Sequence, residues 1–480
     1  VGWYPPRLVV HVVVRLLHVL AIRLTYFVPD EYYQTYPVLT GCTVAHGDES
    51  ASVLLDNPCP WEVGQGLRPS LTLLPQAFLT QWMSVHLAQT ITATAYCIAF
   101  DRVVSTLNLS PVVKVALLTT WSVLYILPRT LIHVPVAICA LATLAFVQAG
   151  HARGSAAVTA AAVACALRPV AATWAVPVVL WQLGRRAVSL RAVTAIALTA
   201  VALSVASDSL AAGRLHSSLL AFVQFNVLSG GASQYGTHPW HWYLSSALPT
   251  CLGILTIPFL LAVYDAIAAR GRALTLLERA SLLMVVGSTV TLSFIPHKEF
   301  RFLFPIVPAA VAFAARRIDS LSRHPLAKVA VAVQALAACY LCLVHQGGVM
   351  RASRLALPVS ADEVRVFVAM PCHSLPGPWF MPNNVFLRQL WCPPQDVGYP
   401  VSLVTETDRF YADPATFLTN ECATPAHCPH IILLFDTLVP TLKPWMEQHG
   451  YTEQQRIFNA LFVEDDRKGT EVVAWAKRHA

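Results

Sequence analysis

Three side chains that can carry positive charge occur within five residues, at His297, Lys298 and Arg301, with Glu299 between them. An arginine guanidinium donates two parallel hydrogen bonds to a phosphate, and a lysine ammonium adds a point charge. Such a cluster can hold a phosphate and stabilise the charge that develops on it as a leaving group. A membrane-surface anchor is the alternative. It fits a single cation better, because the segment is predicted to lie on the side of the membrane that disfavours positive charge.

A pair of carboxylic acids, Asp30 and Glu31, directly follows Pro29. Acidic residues in a first helical turn interact favourably with the helix dipole, so the pair is typical of a helix start. A partly desolvated aspartate at the end of a membrane segment can also act as a general base towards a sugar hydroxyl. The two interpretations are compatible, because a capped helix is a rigid support for a base.

Histidines and aromatic residues alternate closely between residues 237 and 243. Trp242 and Tyr243 are typical of the aromatic belt at a bilayer interface. Aromatic faces also stack on sugar rings, and histidines hydrogen-bond hydroxyls or phosphate, so His238, Trp240 and His241 are candidate substrate contacts. The spacing of His238 and His241 would suit a metal, but the sequence offers no evident third ligand nearby, so we expect no metal.

Further polar residues stand at the ends of apolar segments and complete the set of candidate substrate contacts. Trp61, Glu62 and Arg68 fall in the first predicted loop beyond the membrane, and Arg168 falls between two short apolar segments. Because ionisable groups at membrane depth are costly, they usually face a cavity or a partner. Arg129 and Arg168 are each candidates to pair with a carboxylate, for structure or for function.

The composition identifies what must position these residues. Of the 480 residues, 56% are apolar and only 12% are charged, whereas soluble proteins carry about 25% charge. A soluble globule, a disordered chain and a small disulfide scaffold are therefore excluded. The net charge of +7 comes from basic residues scattered singly or in pairs, which does not suit nucleic acid. The chain is predicted to be a polytopic α-helical membrane protein.

The chain is predicted to have two domains. Of the 26 acidic residues, 12 precede residue 350 and 14 follow it, so residues 1–350 form a membrane domain and residues 351–480 a soluble mixed α/β domain. Residues 364–369 and 431–435 are predicted to be buried strands, and 439–449 a helix. About eleven apolar segments are expected, near 8–28, 76–100, 112–127, 131–149, 155–167, 170–183, 190–207, 247–264, 280–296, 302–315 and 329–346. Those of 13 or 14 residues are too short to cross straight and are expected to be broken or re-entrant.

Basic residues predict the orientation. With the N-terminus in the cytosol, fourteen cations of the membrane domain fall on the cytosolic side and six on the other. Eleven crossings then place the C-terminal domain in the lumen of a secretory compartment. The polar clusters all fall at the luminal ends of the segments. An oxidising lumen allows the four cysteines of the C-terminal domain to pair, in any of three connectivities.

Several of these motifs together resemble a known family. They are Pro-Asp-Glu-Tyr-Tyr-Gln at 29–34, Trp-Glu at 61–62, Gly-Leu-Arg at 66–68, Tyr-Gly-Thr-His-Pro-Trp-His-Trp-Tyr at 235–243 and His-Lys-Glu-Phe-Arg-Phe-Leu at 297–303. The chain resembles the dolichol-phosphate-mannose-dependent mannosyltransferases of the endoplasmic reticulum. Together with Met-Pro-Cys-His-Ser at 370–374, the motifs are most similar to those of the members that add the third mannose of the glycosylphosphatidylinositol (GPI) anchor.

The resemblance implies a GT-C-type glycosyltransferase fold and an inverting reaction without a metal or other cofactor. It implies dolichyl phosphate mannose as donor, a GPI precursor glycolipid as acceptor and an α1,2 linkage in the product, at the endoplasmic reticulum membrane. By motif match, Asp30 is the base and Glu31 an acceptor or orienting contact. His297, Lys298 and Arg301 bind the lipid phosphate. The substrate contacts are Trp61, Glu62, Arg68, Arg168, His238, Trp240, His241 and Glu299.

The sequence departs from the family pattern at two places. Val28 stands where His or Asn commonly precedes the Pro-Asp-Glu motif. After Arg129 and Thr130, the family pattern continues with a polar run, whereas this chain reads Leu-Ile-His-Val-Pro at 131–135. The departure leaves the role of Arg129 undecided.

Three alternatives remain. A sibling mannosyltransferase would add a fourth GPI mannose or extend the lipid-linked N-glycan precursor. A lipid transporter would place its ionisable residues near the midplane and often shows duplicated halves, which this sequence lacks. A non-catalytic subunit would hold a partner.

Overall fold

The computed structural model describes residues 5–33, 35–39, 66–268, 273–354, 364–377, 380–381, 384–390, 392, 404–424, 428–463 and 465–477. Trp61 and Glu62, two predicted substrate contacts, lie outside the described residues. The chain divides into two compact units, each made of two stretches of sequence. The first comprises Val1–Leu20 and Gln65–Cys339, and the second comprises Ala21–Gly64 and Tyr340–Ala480.

The first unit is helical. Its α-helices are α1 (Pro5–Ile22, which continues into the second unit), α4 (Leu74–Thr80), α5 (Val85–Thr106), α6 (Pro111–Leu118), α7 (Trp121–Ile126), α8 (His133–Gln148), α9 (Gly154–Leu167), α10 (Ala172–Gly184), α11 (Leu190–Ala212), α12 (Ser218–Val223), α13 (Leu248–Leu252), α14 (Thr256–Ala268), α15 (Leu276–Ser293), α16 (Val307–Phe313), α17 (Ala315–Leu321) and α18 (Leu326–Leu343, which also continues into the second unit). Ser84, Ser110 and Ser189 cap α5, α6 and α11, each accepting a hydrogen bond from a backbone amide of the first turn.

Several helices are long and apolar enough to cross a membrane. Within the described residues these are Leu190–Ala212, Tyr243–Ala268, Leu276–Ser293 and Leu326–Ala352. Shorter apolar helices are Leu8–Ile22, His133–Gln148, Pro169–Gly184, Ser218–Leu228 and Phe300–Phe313. On α11, Leu198, Leu203 and Leu210 are 65%, 61% and 85% exposed. An apolar helix with its large side chains outward fits a lipid environment. The structure thus agrees with the predicted polytopic helical membrane protein.

Helix α8 lies at the centre of the first unit. It packs against α5, α9 and α15 and against the 3₁₀ helix Phe300–Ile306. Its buried face combines Ala137 and Ala140 with larger aliphatic side chains, and small residues let helix backbones approach closely. The first residue of α8 is His133, which is 1% exposed. The core of this unit therefore positions the beginning of α8 against the segment that carries the predicted phosphate cluster.

A glycine sets the distance between α10 and α15. A Cβ atom at Gly287 would lie 2.5 Å from the backbone oxygen of Thr173. We expect Gly287→Ala to lower the free energy of unfolding by about 1–3 kcal/mol, because the backbones must separate. Thermal unfolding of the detergent-solubilised protein measures this. Gly184→Ala is the matched control, since a Cβ there meets nothing within 4 Å. An unchanged melting temperature for Gly287→Ala would contradict the close packing.

The second unit contains a five-stranded sheet in the order β2–β1–β3–β5–β4. Its helices and strands are α2 (Asp30–Tyr33), α3 (Tyr36–Leu39), α19 (Gly347–Ala352), β1 (Val364–Ala369), β2 (Val385–Gln389), α20 (Glu406–Ala412), α21 (Pro414–Glu421), β3 (Ile431–Phe435), α22 (Val439–Gln448), β4 (Tyr451–Phe458) and β5 (Glu471–Lys477). Strand β1 pairs in parallel with β2 and β3, while β5 is antiparallel to β3 and β4. The predicted mixed α/β fold and both predicted strands are confirmed.

Burial explains the strand order. Every residue of β3 is buried, as are five of the six in β1, where Arg365 is the exception. Apolar runs of this kind are typical of central strands covered on both faces. Phe410 of α20 and Met446 of α22 are fully buried against this sheet. Disulfides join Cys372 to Cys392 and Cys422 to Cys428, which is one of the three possible connectivities.

Candidate functional site

The predicted phosphate cluster forms an ordered set of contacts in the first unit. His297 lies between two acceptors, with Nδ1 3.0 Å from the Gly236 carbonyl oxygen and Nε2 3.0 Å from Glu299 Oε1. Arg301 binds the same carboxylate through two nitrogens, with Nη2 2.7 Å from Oε1 and Nε 2.5 Å from Oε2. Glu299 is therefore the residue that orients both neighbouring cations.

The charges around Glu299 keep it ionised. Burial alone would raise the pKa of the Glu299 carboxyl, but the Arg301 charge and the hydrogen bonds from His297 and Arg301 outweigh it and lower the pKa to about 2. The Glu299 carboxylate thus contacts three side-chain nitrogens, one of His297 and two of Arg301, and holds these side chains in place. Its single negative charge does not cancel the net positive charge of the surrounding arginines.

The Phe302 ring lies close to several of the basic side chains. Phe302 lies between two histidine rings, with centroid distances of 6.0 Å to His133 and 5.7 Å to His297. The guanidinium carbons of Arg168 and Arg301 lie 5.2 Å and 6.0 Å from its centroid. Cations are attracted to an aromatic face, so the ring holds the two guanidinium groups in one place.

Separate chain segments bring this group together. Arg168 directly follows α9 in an extended conformation and is 8% exposed. Arg301 and Phe302 belong to the 3₁₀ helix Phe300–Ile306, and His133 begins α8. Arg68 acts electrostatically on His133, as do Arg168 and Arg301. We call Arg68, Arg168, Arg301 and His297 with Glu299 and Phe302 the cationic cluster.

The loop that carries Arg68, residues 66–70, is held in place by hydrogen bonds. The Asp208 carboxylate of α11 accepts from the backbone amides of Ser70 and Ser218, at 3.0 Å and 2.8 Å, and from both hydroxyls. His216 Nε2 lies 2.8 Å from the Gly66 carbonyl oxygen. Gly66 has φ +63°, and a Cβ there would lie 2.1 Å from the His216 ring, so only glycine fits.

Lys298 lies beside this cluster but points elsewhere. It is 3% exposed, and its Nζ donates to the backbone oxygens of His238, Ile295 and Pro296 at 3.0, 2.6 and 3.4 Å. Burial lowers the pKa of its ammonium. The bond to His238 ties Lys298 to the histidine and aromatic stretch, while the other two bonds hold the chain just before Lys298. Direct phosphate binding by Lys298 stays a prediction.

The histidine and aromatic stretch, residues 237–243, contains two pairs of rings with different surroundings. The His238 ring stacks on Trp242 at 4.4 Å, and Trp242 contacts Phe300 at 4.8 Å. Trp240 is 70% exposed and meets His241 edge-on at 5.6 Å. The stacked His238 and Trp242 rings support the 3₁₀ helix of the cationic cluster through Phe300, while Trp240 and His241 present an open surface.

The Asp30–Glu31 pair lies in the second unit, in the single-turn helix α2. Asp30 begins the turn, which agrees with the helix-start interpretation, and Glu31 is 8% exposed. The flanking tyrosines hold the turn, since Tyr26 Oη donates to the His373 carbonyl oxygen at 2.6 Å and Tyr33 Oη to that of Leu375 at 2.8 Å.

His373 stands between this turn and the sheet domain. Its ring meets Tyr33 edge-on at 4.6 Å, and its φ is +60°, which is uncommon for a residue with a side chain. Burial lowers the pKa of the His373 imidazole to about 4, against the opposing effect of the Asp30 charge. The imidazole is therefore neutral near pH 7.

Phe302 and His133 are not among the site residues predicted from the sequence. Phe302 belongs to the quoted His-Lys-Glu-Phe-Arg-Phe-Leu motif, so the motif itself carried the signal. His133 lies in the stretch that departs from the family pattern, and within the described part of the chain neither of its ring nitrogens has a hydrogen-bond partner. Across that same part, no three His, Cys, Asp or Glu side chains form a metal site. That the reaction needs no metal stays a prediction.

A pH experiment checks the charge of Glu299. Since its pKa is depressed, its stabilising effect is present above about pH 4.5 and is lost only as the pH falls towards 2. We expect Glu299→Gln to lower turnover about 10- to 100-fold, because Arg301 loses a charged hydrogen-bond partner. Between pH 5 and 8, we expect the pH–rate profile of this variant to have the same shape as that of the wild-type enzyme. If the variant lost an acidic limb that the wild-type profile shows, Glu299 would not be ionised throughout this range.

Comparison with known proteins gives the family and the fold. The model of the Alg9-like mannosyltransferase family matches residues 8–382. The GPI mannosyltransferase 3 of Drosophila melanogaster is 27% identical over 472 residues, which cover 91% of this chain and 81% of that protein. The GPI alpha-1,2-mannosyltransferase 3 of Danio rerio is 30% identical over 264 residues, or 54% of this chain and 47% of that protein. The chain thus spans about half the length of several curated relatives that it matches.

A solved structure has the same fold. ArnT from Cupriavidus metallidurans, crystallised with undecaprenyl phosphate, superposes with a TM-score of 0.55 at 12% identity and covers 98% of both chains. This likeness concerns the fold alone, and it confirms the expected GT-C-type architecture. With a family model that matches well over half of its length, the chain belongs to the Alg9-like mannosyltransferase family.

Proposed function

We propose that this chain is an inverting α1,2-mannosyltransferase. It moves mannose from dolichyl phosphate mannose onto a GPI precursor and adds the third mannose. Relatives named GPI alpha-1,2-mannosyltransferase 3 and GPI mannosyltransferase 3 support mannose transfer to a GPI precursor, and the first name supports the α1,2 linkage. The observation on which it chiefly rests is the cationic cluster, where Arg168 and Arg301 lie near the Phe302 ring and Arg301 also binds the Glu299 carboxylate. Arg68 joins them through its electrostatic effect on the neighbouring His133.

The cluster suits a lipid phosphate whose charge grows during reaction. The donor is a phosphodiester with one negative charge, and the departing dolichyl phosphate carries two. Arg168 and Arg301 are buried and held near the Phe302 ring, and Arg301 is also bound to Glu299, so both need little reorganisation as the charge develops. Donors arranged in advance around a developing anion are a large source of catalysis. Arg301 and Arg168 therefore bind the phosphate, and Arg68 completes the positive field.

Asp30 is the base in this proposal. It takes the proton of the acceptor hydroxyl while that oxygen forms a bond to the anomeric carbon of mannose. The bond from this carbon to the phosphate oxygen breaks, and its electron pair leaves with dolichyl phosphate. One displacement converts the β-linked donor into an α-linked product. Glu31 orients the acceptor, and no metal or other cofactor takes part.

Trp240 and His241 are proposed acceptor contacts. Both are exposed, and their rings stand edge-on to each other, so one offers an apolar face and the other a polar edge. Aromatic faces cover the apolar side of a sugar ring, while an imidazole hydrogen-bonds its hydroxyls. Trp61 and Glu62 are retained as proposed substrate contacts on the strength of their motif.

We place the reaction at the luminal side of the endoplasmic reticulum membrane. The proposal requires Asp30 and the cationic cluster to face the same side. In a cysteine-depleted chain, we expect Asp30→Cys and Trp240→Cys to react with a membrane-impermeant maleimide only after the lumen is opened. Arg153→Cys, predicted to be cytosolic, is the control and reacts in sealed vesicles. Labelling of the first two from opposite sides would overturn the proposal.

The direct test uses purified enzyme, radiolabelled dolichyl phosphate mannose and a panel of acceptors. We expect transfer to a GPI precursor with two mannoses, a product sensitive to α1,2-mannosidase, and unchanged turnover in EDTA. Transfer only to a precursor with three mannoses, or to the lipid-linked N-glycan precursor, would identify a sibling enzyme. Lipid movement between leaflets without transfer would identify a transporter.

A further inference from the structure

The C-terminal domain makes hydrogen bonds to the turn that carries Asp30. Tyr26 Oη donates to the His373 carbonyl oxygen, and Tyr33 Oη lies 2.8 Å from the Leu375 oxygen and 2.9 Å from Gln389 Oε1. Asp30 is thus bracketed in sequence by two tyrosines that are fixed to the same domain. The fixed points belong to the loop after β1, residues 370–375, and to the end of β2.

A single helical turn needs such support. Helix α2 has four residues, and a helix this short has no stability of its own in water. Tyr33 stands three positions after Asp30, so their side chains are neighbours on the helix surface. Fixing the Tyr33 hydroxyl therefore fixes the direction in which the Asp30 side chain leaves the turn. The Tyr32 ring, 5.3 Å from both Tyr26 and Phe380, fills the space beside it.

The 370–375 loop is itself restrained. The disulfide from Cys372 to Cys392 joins it to the chain beyond β2. His373 has a left-handed backbone conformation, which is costly for a residue with a side chain, and its carbonyl is the one that accepts from Tyr26. Burial raises the pKa of the Tyr33 phenol, so it remains a donor throughout the pH range of an assay.

We infer that the 370–375 loop is part of the catalytic apparatus, and that Tyr33 and the Cys372–Cys392 disulfide are positioning elements that aim the Asp30 carboxylate at the acceptor hydroxyl. The inference rests on the proposed function and gives the C-terminal domain a role in it. Misplacement of a base lowers the rate of the chemical step without weakening the binding of a substrate that the base does not hold. The signature is therefore a lower kcat with an unchanged KM for the donor.

The experiment compares hydroxyl deletions within one domain. We expect Tyr33→Phe to lower kcat about 5- to 20-fold, with the donor KM and the melting temperature unchanged. The matched control is Tyr411→Phe, which also removes a hydroxyl that donates to a backbone oxygen, that of Arg467 at 3.0 Å, in the same domain. We expect normal kcat for this control.

Paired disulfide deletions supply an independent readout. Replacing Cys372 and Cys392 by Ser is expected to lower kcat about tenfold, whereas replacing Cys422 and Cys428 by Ser leaves kcat within twofold. Equal kcat losses from both disulfide deletions, or a Tyr33→Phe variant that turns over normally or loses only stability, would overturn the inference. A wild-type enzyme that transfers mannose to no acceptor would instead refute the proposed function.

Discussion

Asp30→Asn abolishes mannose transfer and leaves expression and folding unchanged: this is the largest effect that the proposed mechanism predicts. Asn has the shape of Asp but cannot accept the proton of the acceptor hydroxyl. Loss of a general base typically costs 10²- to 10⁴-fold in rate. Because Asn has nearly the same size as Asp and remains polar, we expect the fold to be kept. Initial rates with radiolabelled donor measure the effect.

The control for this variant is Asp413→Asn. Asp413 caps α21 by accepting from the Thr416 amide, and Asn keeps that bond, so we expect full activity. Donor binding should persist in Asp30→Asn, since the phosphate contacts remain intact. Turnover of Asp30→Asn near the normal rate would remove Asp30 as the base.

Arg301→Lys is expected to reduce kcat/KM for the donor by about 10²- to 10³-fold, the range found when one preorganised donor to a developing anion is lost. The substitution keeps the positive charge. It removes the planar fork that binds both Glu299 oxygens and the contact with the Phe302 face. A point charge therefore cannot maintain the geometry of the cluster. Steady-state kinetics over a range of donor concentrations separates kcat from KM.

A second arginine of the same unit tests whether this effect is specific. Arg317 grips Asp265 through two nitrogens, as Arg301 grips Glu299, but belongs to α17, outside the cationic cluster. We expect Arg317→Lys to change kcat/KM less than twofold. If the two Lys variants lost activity equally and together with thermal stability, the phosphate role of Arg301 would fail.

The elements that follow from local composition could be predicted from the sequence. The run at 431–435 is entirely apolar and the run at 364–369 is apolar except for Arg365, which predicts buried strands. Both are interior strands of the sheet. The apolar helices followed from hydropathy in the same way, because backbone groups in lipid must be satisfied within the segment. The sheet order and the disulfide connectivity depend on contacts between distant residues, which no local pattern specifies.

In the candidate site, too, local sequence predicted some features, while others depend on contacts between distant residues. The spacing of His297, Glu299 and Arg301 predicted a charged cluster, and His297 and Arg301 both contact the Glu299 carboxylate. Lys298 shows the limit, since its charge was evident but the direction of its N–H groups depends on the carbonyl of His238, sixty residues away. His133 was seen only as a departure from a pattern. Its place beside Phe302 required the packing of α8 against the 3₁₀ helix.

The bond from Tyr33 to Leu375 spans 342 positions of sequence and has a consequence for biosynthesis. The ribosome makes the Asp30 turn well before the 370–375 loop that supports it. Closing so long a loop is slow. A nascent or prematurely terminated chain that lacks the sheet domain is thus expected to be inserted in the membrane and inert. Translation of the sheet domain, rather than membrane insertion, is the event that makes the catalyst competent.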